Sequence, residues 1–145
     1  EMLRSLVGSE MCIRDRSQKP LVLLDGGHNP GCASALHEVL KTHLSGRHIT
    51  AIMGMMADKD SMRYLELTAP HFERIITVQP QNPRSLSAEA LADEAKHFCK
   101  DVQPAQSMKD AIEKATVSGD EVLVICGSFF LASEIRDLAI EKYKA

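Results

Sequence analysis

Apolar positions along the chain follow two rhythms that alternate from Pro20 onward. Leu21-Val22-Leu23-Leu24 is a short unbroken apolar run closed by Asp25-Gly26-Gly27, the pattern of a strand covered on both faces. Leu36, Val39, Leu40 and Leu44 then recur at helical spacing up to Gly46, where a helix would end. Residues 49–54 read as a second strand, 58–69 as a helix stopped by Pro70, and 74–78 as a third strand. Residues 80–84 carry two prolines and form a loop, after which Ser87 can cap a helix facing inward with Leu91, Ala95 and Phe98. A short strand follows at 101–105. Ser107-x-x-Asp110 has the form of a capping box, opening a helix whose inner face is Met108, Ala111, Ile112 and Ala115 and which ends at Gly119-Asp120. Residues 121–126 hold a fifth strand, and a last helix from about Ser128 buries Leu131, Ile135, Leu138 and Ala139.

Strands separated by helices of this length imply βαβ crossovers, hence an α/β fold with a mainly parallel, Rossmann-like sheet flanked by helices. In such sheets ligands gather at the carboxyl ends of the strands, which singles out the loops 25–31, 54–60 and 127–128. The first residues break the rhythm. Residues 1–16 have no clean period, residues 5–16 resemble a translated sequencing adapter, and Ser17-Gln18-Lys19-Pro20 resembles a boundary. Residues 1–19 are therefore set apart as a non-native or linker leader, with one domain expected over 20–145. A genuine short linker or strand is the alternative for that leader.

A length of 145 residues suits one domain, and 44% hydrophobic against 26% charged residues places the chain among globular proteins. A net charge of −3 with interspersed signs and only 4% aromatic residues argues against a nucleic-acid partner. No apolar run approaches the roughly 20 residues of a membrane helix, so no membrane partner is expected. Cys12, Cys32, Cys99 and Cys126 follow neither zinc nor disulfide spacing and read as reduced thiols of a cytoplasmic protein.

The chemistry concentrates in Asp25-Gly26-Gly27-His28-Asn29-Pro30-Gly31, directly after the first strand. The glycines let the backbone approach a ligand. Asp25 can accept from hydroxyls or an ammonium, and His28 can donate to an oxyanion. Asn29-Pro30 opens a helix whose N-terminus favours anions. The same residues also fit a glycine turn with an Asn cap and an incidental histidine. Neither the dinucleotide fingerprint nor the Walker loop is present. His28 and Cys32 stand four apart, but no further metal ligands accompany them, so no metal site is expected.

Asp25-Gly26-Gly27-His28-Asn29-Pro30 resembles the D-G-A-H-N-P motif that opens the C-terminal domain of folylpolyglutamate and dihydrofolate synthases, within the Mur ligase superfamily. Gly54-Met55-Met56-Ala57-Asp58-Lys59-Asp60 is similar to their G-x-x-x-D-K-D loop, and Cys126-Gly127-Ser128-Phe129-Phe130-Leu131-Ala132 to their C-G-S-x-Y-L-A segment. All three occur in the family's order, across about residues 20–143. The resemblance implies a cytoplasmic, monomeric ATP-dependent ligase in which ATP phosphorylates a folate or dihydropteroate carboxylate and L-glutamate attacks the acyl phosphate. It implies ATP contacts at Asp25, His28 and Asn29, with His28 catalytic, and glutamate contacts at Ser128, Lys59 and Arg84. Arg84 enters through Asn82-Pro83-Arg84, which echoes a loop of the diaminopimelate-adding Mur ligase. Residue chemistry alone leaves Ser128 open as a helix cap, Lys59 as a solvated charge and Arg84 as a surface arginine. The family's phosphate loop and Mg2+ ligands belong to an N-terminal domain, so this chain is expected to be inactive without that partner. The competing expectations are a Mur peptidoglycan ligase domain and a non-catalytic Rossmann-like nucleotide-binding module.

Overall fold

A computed structural model describes residues 11–13, 21–27, 30–57, 60–115, 117 and 121–143. Among these residues six strands form one sheet: β1 (Met11–Ile13), β2 (Leu21–Leu24), β3 (Ile49–Met53), β4 (Arg74–Thr77), β5 (Val102–Pro104) and β6 (Val122–Cys126). Their spatial order is β1-β2-β6-β3-β4-β5, parallel throughout except for antiparallel β1 at the edge. Among the described residues there are five α-helices: α1 (Pro30–His43), α2 (Ser61–Thr68), α3 (Ala88–Ala95), α4 (Met108–Lys114) and α5 (Phe129–Tyr143).

The strand alternation divides the core in two. Leu21, Leu23, Ala51, Met53, Ile75 and Val124 point to one face and pack with Leu36 and Leu40 of α1, Leu65 of α2 and Leu91 of α3. Val22, Leu24, Ile52, Ile76, Leu123 and Ile125 point to the other and meet Ile112 of α4 and Leu131 and Ile135 of α5. Successive side chains on opposite faces, both covered, explain why these strands read as continuous apolar runs. The α/β sheet with helices on both faces is the expected architecture.

Several boundaries differ from the sequence expectation, each for a local reason. Pro70 does not end the helical path: α2 closes at Thr68 and the chain tightens into a 3-10 turn, Ala69–His71, with Pro70 in its first turn, where a missing N–H costs nothing. The start of α2 is set by Asp60, whose carboxylate accepts from Arg63 N at 3.1 Å. Phe98 lies beyond α3 in the following turn, half-buried against the core. Leu138 is 37% exposed rather than buried. Leu131, Ile135 and Ala139 are spaced by four, so the buried line drifts about 40° per step around α5 and leaves Leu138 behind. The set-apart leader contains β1, which pairs with β2 in the register Met11 to Leu24. The turn at Gly119-Asp120 lies outside the described residues.

Candidate functional site

β6 comes last among the strands in sequence yet sits between β2 and β3. The three strand ends carrying the motif loops are therefore neighbours, at the point where the winding of the sheet reverses. Asp25 N donates to Ile125 O at 2.8 Å and Gly54 N to Cys126 O at 3.3 Å, so the three ends are stitched together by backbone hydrogen bonds.

Asp25 is fully buried just past β2, and its Oδ1 accepts from Gly27 N at 2.9 Å, locking the turn. A Cβ on Gly27 would stand 2.5 Å from Cys32 Cβ, so the glycine at this point of the motif is required by Cys32 on the first turn of α1. Beneath the aspartate lie Tyr64 of α2 and Cys126 of β6, both fully buried. Burial first, then the charges of Cys126 and Asp25, push the Tyr64 phenol well above its ordinary value. Burial, then Asp25, pushes the Cys126 thiol up in the same way. The Tyr64 hydroxyl is buried with no hydrogen-bond partner among the described residues, and it interacts with the thiol electrostatically. Both groups remain protonated under a buried carboxylate.

Ser128 is buried at the head of α5, and its Oγ accepts from Phe130 N at 3.0 Å. The cap role is thus realised, and the hydroxyl hydrogen is still a donor available to an anion. Gly127 before it has φ +108, and a Cβ there would stand 2.6 Å from Gly54 O. Phe129 and Phe130 follow, 58% and 43% exposed, as an apolar rim beside the strand ends.

Arg84 is exposed, and its loop is anchored to the strand-end layer. Ala57 N donates to Arg84 O at 2.6 Å, Leu86 N to Met55 O at 2.8 Å, and Met56 bridges Ser85. Asn82 Oδ1 accepts from Arg84 N at 3.0 Å, and Gln81 N donates to Glu134 of α5 at 2.6 Å. The structure therefore brings Asp25, Ser128 and the Arg84 loop to one edge of the sheet. His28, Asn29 and Lys59 lie outside the described residues. Tyr64 and Glu134 were not picked out by sequence. Tyr64 shows its inward face through helical period alone, and Glu134 carries no local signal for its contact with a distant loop.

Among the described residues no group of three or more His, Cys, Asp or Glu side chains converges to hold a metal. Among them, too, no helix is long and apolar enough to cross a membrane.

Residues 11–129 match the family described as Mur ligase, glutamate ligase domain. The chain is 33% identical over 136 residues to the dihydrofolate synthase/folylpolyglutamate synthase of Mycobacterium tuberculosis, covering 82% of this chain and 28% of that protein. It is 30% identical over 116 residues to the UDP-N-acetylmuramoyl-L-alanyl-D-glutamate–2,6-diaminopimelate ligase of Ectopseudomonas mendocina, covering 75% of this chain and 24% of that one. Among solved structures, the Mycobacterium tuberculosis folylpolyglutamate synthase complexed with ADP superposes with a TM-score of 0.78 at 30% identity, over 88% of this chain and 31% of that one. The chain thus spans under a third of the length of these relatives. It belongs to the Mur ligase family, as a glutamate ligase domain.

Proposed function

We propose that this chain is the C-terminal, glutamate-handling domain of a cytoplasmic, monomeric folylpolyglutamate/dihydrofolate synthase, and that it is inactive without an N-terminal ATPase domain. The observation that carries the proposal is the convergence of three strand-end loops, in the family's order, on Asp25, Ser128 and the loop of Arg84. The full reaction joins L-glutamate to a folate or dihydropteroate carboxylate through an acyl phosphate made from ATP.

In that reaction Asp25 holds a ribose hydroxyl of ATP or the ammonium of glutamate, with its carboxylate oriented by Gly27 N. His28 and Asn29, between Asp25 and the start of α1, meet phosphate oxygens, with His28 stabilising charge as the acyl phosphate is attacked. Ser128 and the α5 N-terminus receive the glutamate carboxylate. Lys59 and Arg84 supply cationic contacts from the neighbouring loops, the guanidinium suiting a carboxylate bidentately. The magnesium that such chemistry uses is held mainly by the N-terminal domain.

The test joins this chain to the N-terminal remainder of its protein and measures ATP-dependent glutamate incorporation into dihydropteroate and tetrahydrofolate, with Asp25→Ala and His28→Ala alongside. Incorporation that vanishes in both variants with folding intact, and that this chain alone does not support, upholds the proposal. Incorporation unchanged in the variants refutes the site. The Asn82-Pro83-Arg84 loop favours one second reading, a peptidoglycan ligase domain, which transfer to a UDP-muramoyl acceptor in place of both folates would support.

A further inference from the structure

On the α1 side of the sheet, away from the strand-end loops, two half-buried histidines meet. His37 Nδ1 of α1 and His71 Nε2 of the Ala69–His71 turn are 2.7 Å apart, with ring centroids at 4.8 Å and the planes tilted by 53°. At that distance a single N–H lies between the rings, donated by one and accepted by the other. The contact tolerates one added proton, because an imidazolium donates well to a neutral imidazole. A second proton sets N–H against N–H and two charges against each other across a half-buried gap.

The other titratable side chains on the elements meeting there are Cys32, Glu38, Lys41 and His43 of α1, Arg63, Tyr64 and Glu66 of α2, and Glu73 after the turn. Arg63 and Glu66 pair with each other at 2.8 Å, and Glu73 pairs with His48 at 2.9 Å. Among the described residues, no carboxylate is paired with His37 or His71.

We propose that the His37–His71 contact is a proton-sensitive clasp between α1 and the turn ending the α2 segment, closed while at most one ring is charged and opened when both are. Burial first and the His37 charge second lower the affinity of His71 for a proton. A histidine whose folded value is depressed stabilises the fold fully above its unfolded value of about 6.5, and that contribution is lost as pH falls through the folded value. α1 leaves the Asp25 loop and α2 leaves the 54–60 loop, so opening the clasp loosens the layer behind two of the three strand-end loops. The clasp stands independently of the ligase proposal, since it involves none of those loop residues.

The experiment follows the histidine ring protons of this chain by NMR from pH 8 to 4.5, in the wild type, His37→Gln and His71→Gln, together with urea midpoints across the same range. The expected result is a His71 curve midpoint below the ordinary histidine value that moves back up in His37→Gln, and a wild-type urea midpoint that falls more steeply from pH 7 to 5 than in the double variant. A His71 midpoint indifferent to His37, or identical pH slopes in wild type and double variant, overturns the clasp. If a variant fails to fold, the wild-type spectra decide alone: a ring-to-ring NOE between His37 and His71 that is lost as the solution is acidified through the His71 midpoint supports the clasp, and one that persists to pH 4.5 refutes it.

Discussion

Replacing Gly127 by alanine perturbs the junction on which the whole strand-end arrangement depends. Gly127 has φ +108, a backbone that side chains rarely adopt, and the added Cβ would lie 2.6 Å from Gly54 O, 3.1 Å from Met55 Cγ and 3.2 Å from Met53 Cγ. The methionine ends can move; the Gly54 carbonyl is backbone and cannot without disturbing the Gly54 N to Cys126 O hydrogen bond of 3.3 Å. The positive φ costs about 1–2 kcal/mol, and a weakened buried backbone hydrogen bond adds about 1 kcal/mol. Gly46 separates the two effects. It also has a positive φ, +83, but open space where its Cβ would go, so Gly46→Ala reports the backbone cost alone.

Urea unfolding of both variants provides the comparison. With a slope of about 2 kcal/mol per M for a domain of this size, Gly127→Ala at about 2.5 kcal/mol lowers the midpoint by about 1.2 M, and Gly46→Ala at about 1.5 kcal/mol lowers it by about 0.8 M. Equal midpoint shifts for the two variants would refute the packing argument and leave backbone strain as the whole effect. No shift for Gly127→Ala would refute the described junction itself.

Other outcomes follow from single contacts. Thr77→Val removes the buried hydroxyl that donates to Ala88 O at 2.7 Å, and thermal or urea unfolding should show a loss of about 1–2 kcal/mol. Ser87→Ala deletes the cap accepting from Ala90 N at 3.1 Å and should cost about 1 kcal/mol by the same measurement, with Ser87→Asp restoring most of it. The Gln106 N–H first, and Lys114 after burial's opposing effect, hold Asp110 below the usual carboxylate value. Its contribution is present above the unfolded value of about 3.9 and lost as pH falls through the folded one, so Asp110→Asn should flatten the acid limb of the stability curve, and an unchanged limb would refute the contact. Cys126 and Cys99, both raised chiefly by burial, should resist a thiol reagent at pH 8 in the native protein and react once urea unfolds it.

How much of this was legible in the sequence depends on whether the deciding contact is local. Leu21–Leu24 and Val122–Cys126 announce themselves as strands covered on both faces because each residue fills one of two cores. Ser87 and Ser107 are visible as caps because the acceptor and its N–H lie three residues apart. The capping box at Ser107 is only half as expected: Asp110 is one methylene shorter than glutamate, and its carboxylate takes Gln106 N at 2.9 Å, one residue ahead of the cap. Pro70 misleads for a similar reason, since proline forbids a helix interior yet suits a first turn.

The candidate site divides along the same line. Asp25 and Ser128 stand at strand ends that local pattern identifies. That those ends adjoin follows from β6 inserting between β2 and β3, a long-range pairing no local period encodes; the strand-end rule singled out the three loops without saying that they are neighbours. The support under Asp25 is still less visible. Helical spacing puts Tyr64 inward beside Leu65 and Thr68, but cannot say that its hydroxyl ends under a carboxylate and against a thiol. A fully buried aspartate is costly unless polar groups surround it, and here the neighbours from below are two protonated groups held neutral by their own burial. Tyr64→Phe keeps the ring and its packing while removing a buried hydroxyl that has no hydrogen-bond partner among the described residues, so it should change the stability in urea unfolding by less than about 1 kcal/mol. A loss of about 2 kcal/mol or more would show that the hydroxyl is a needed support of the buried layer under Asp25.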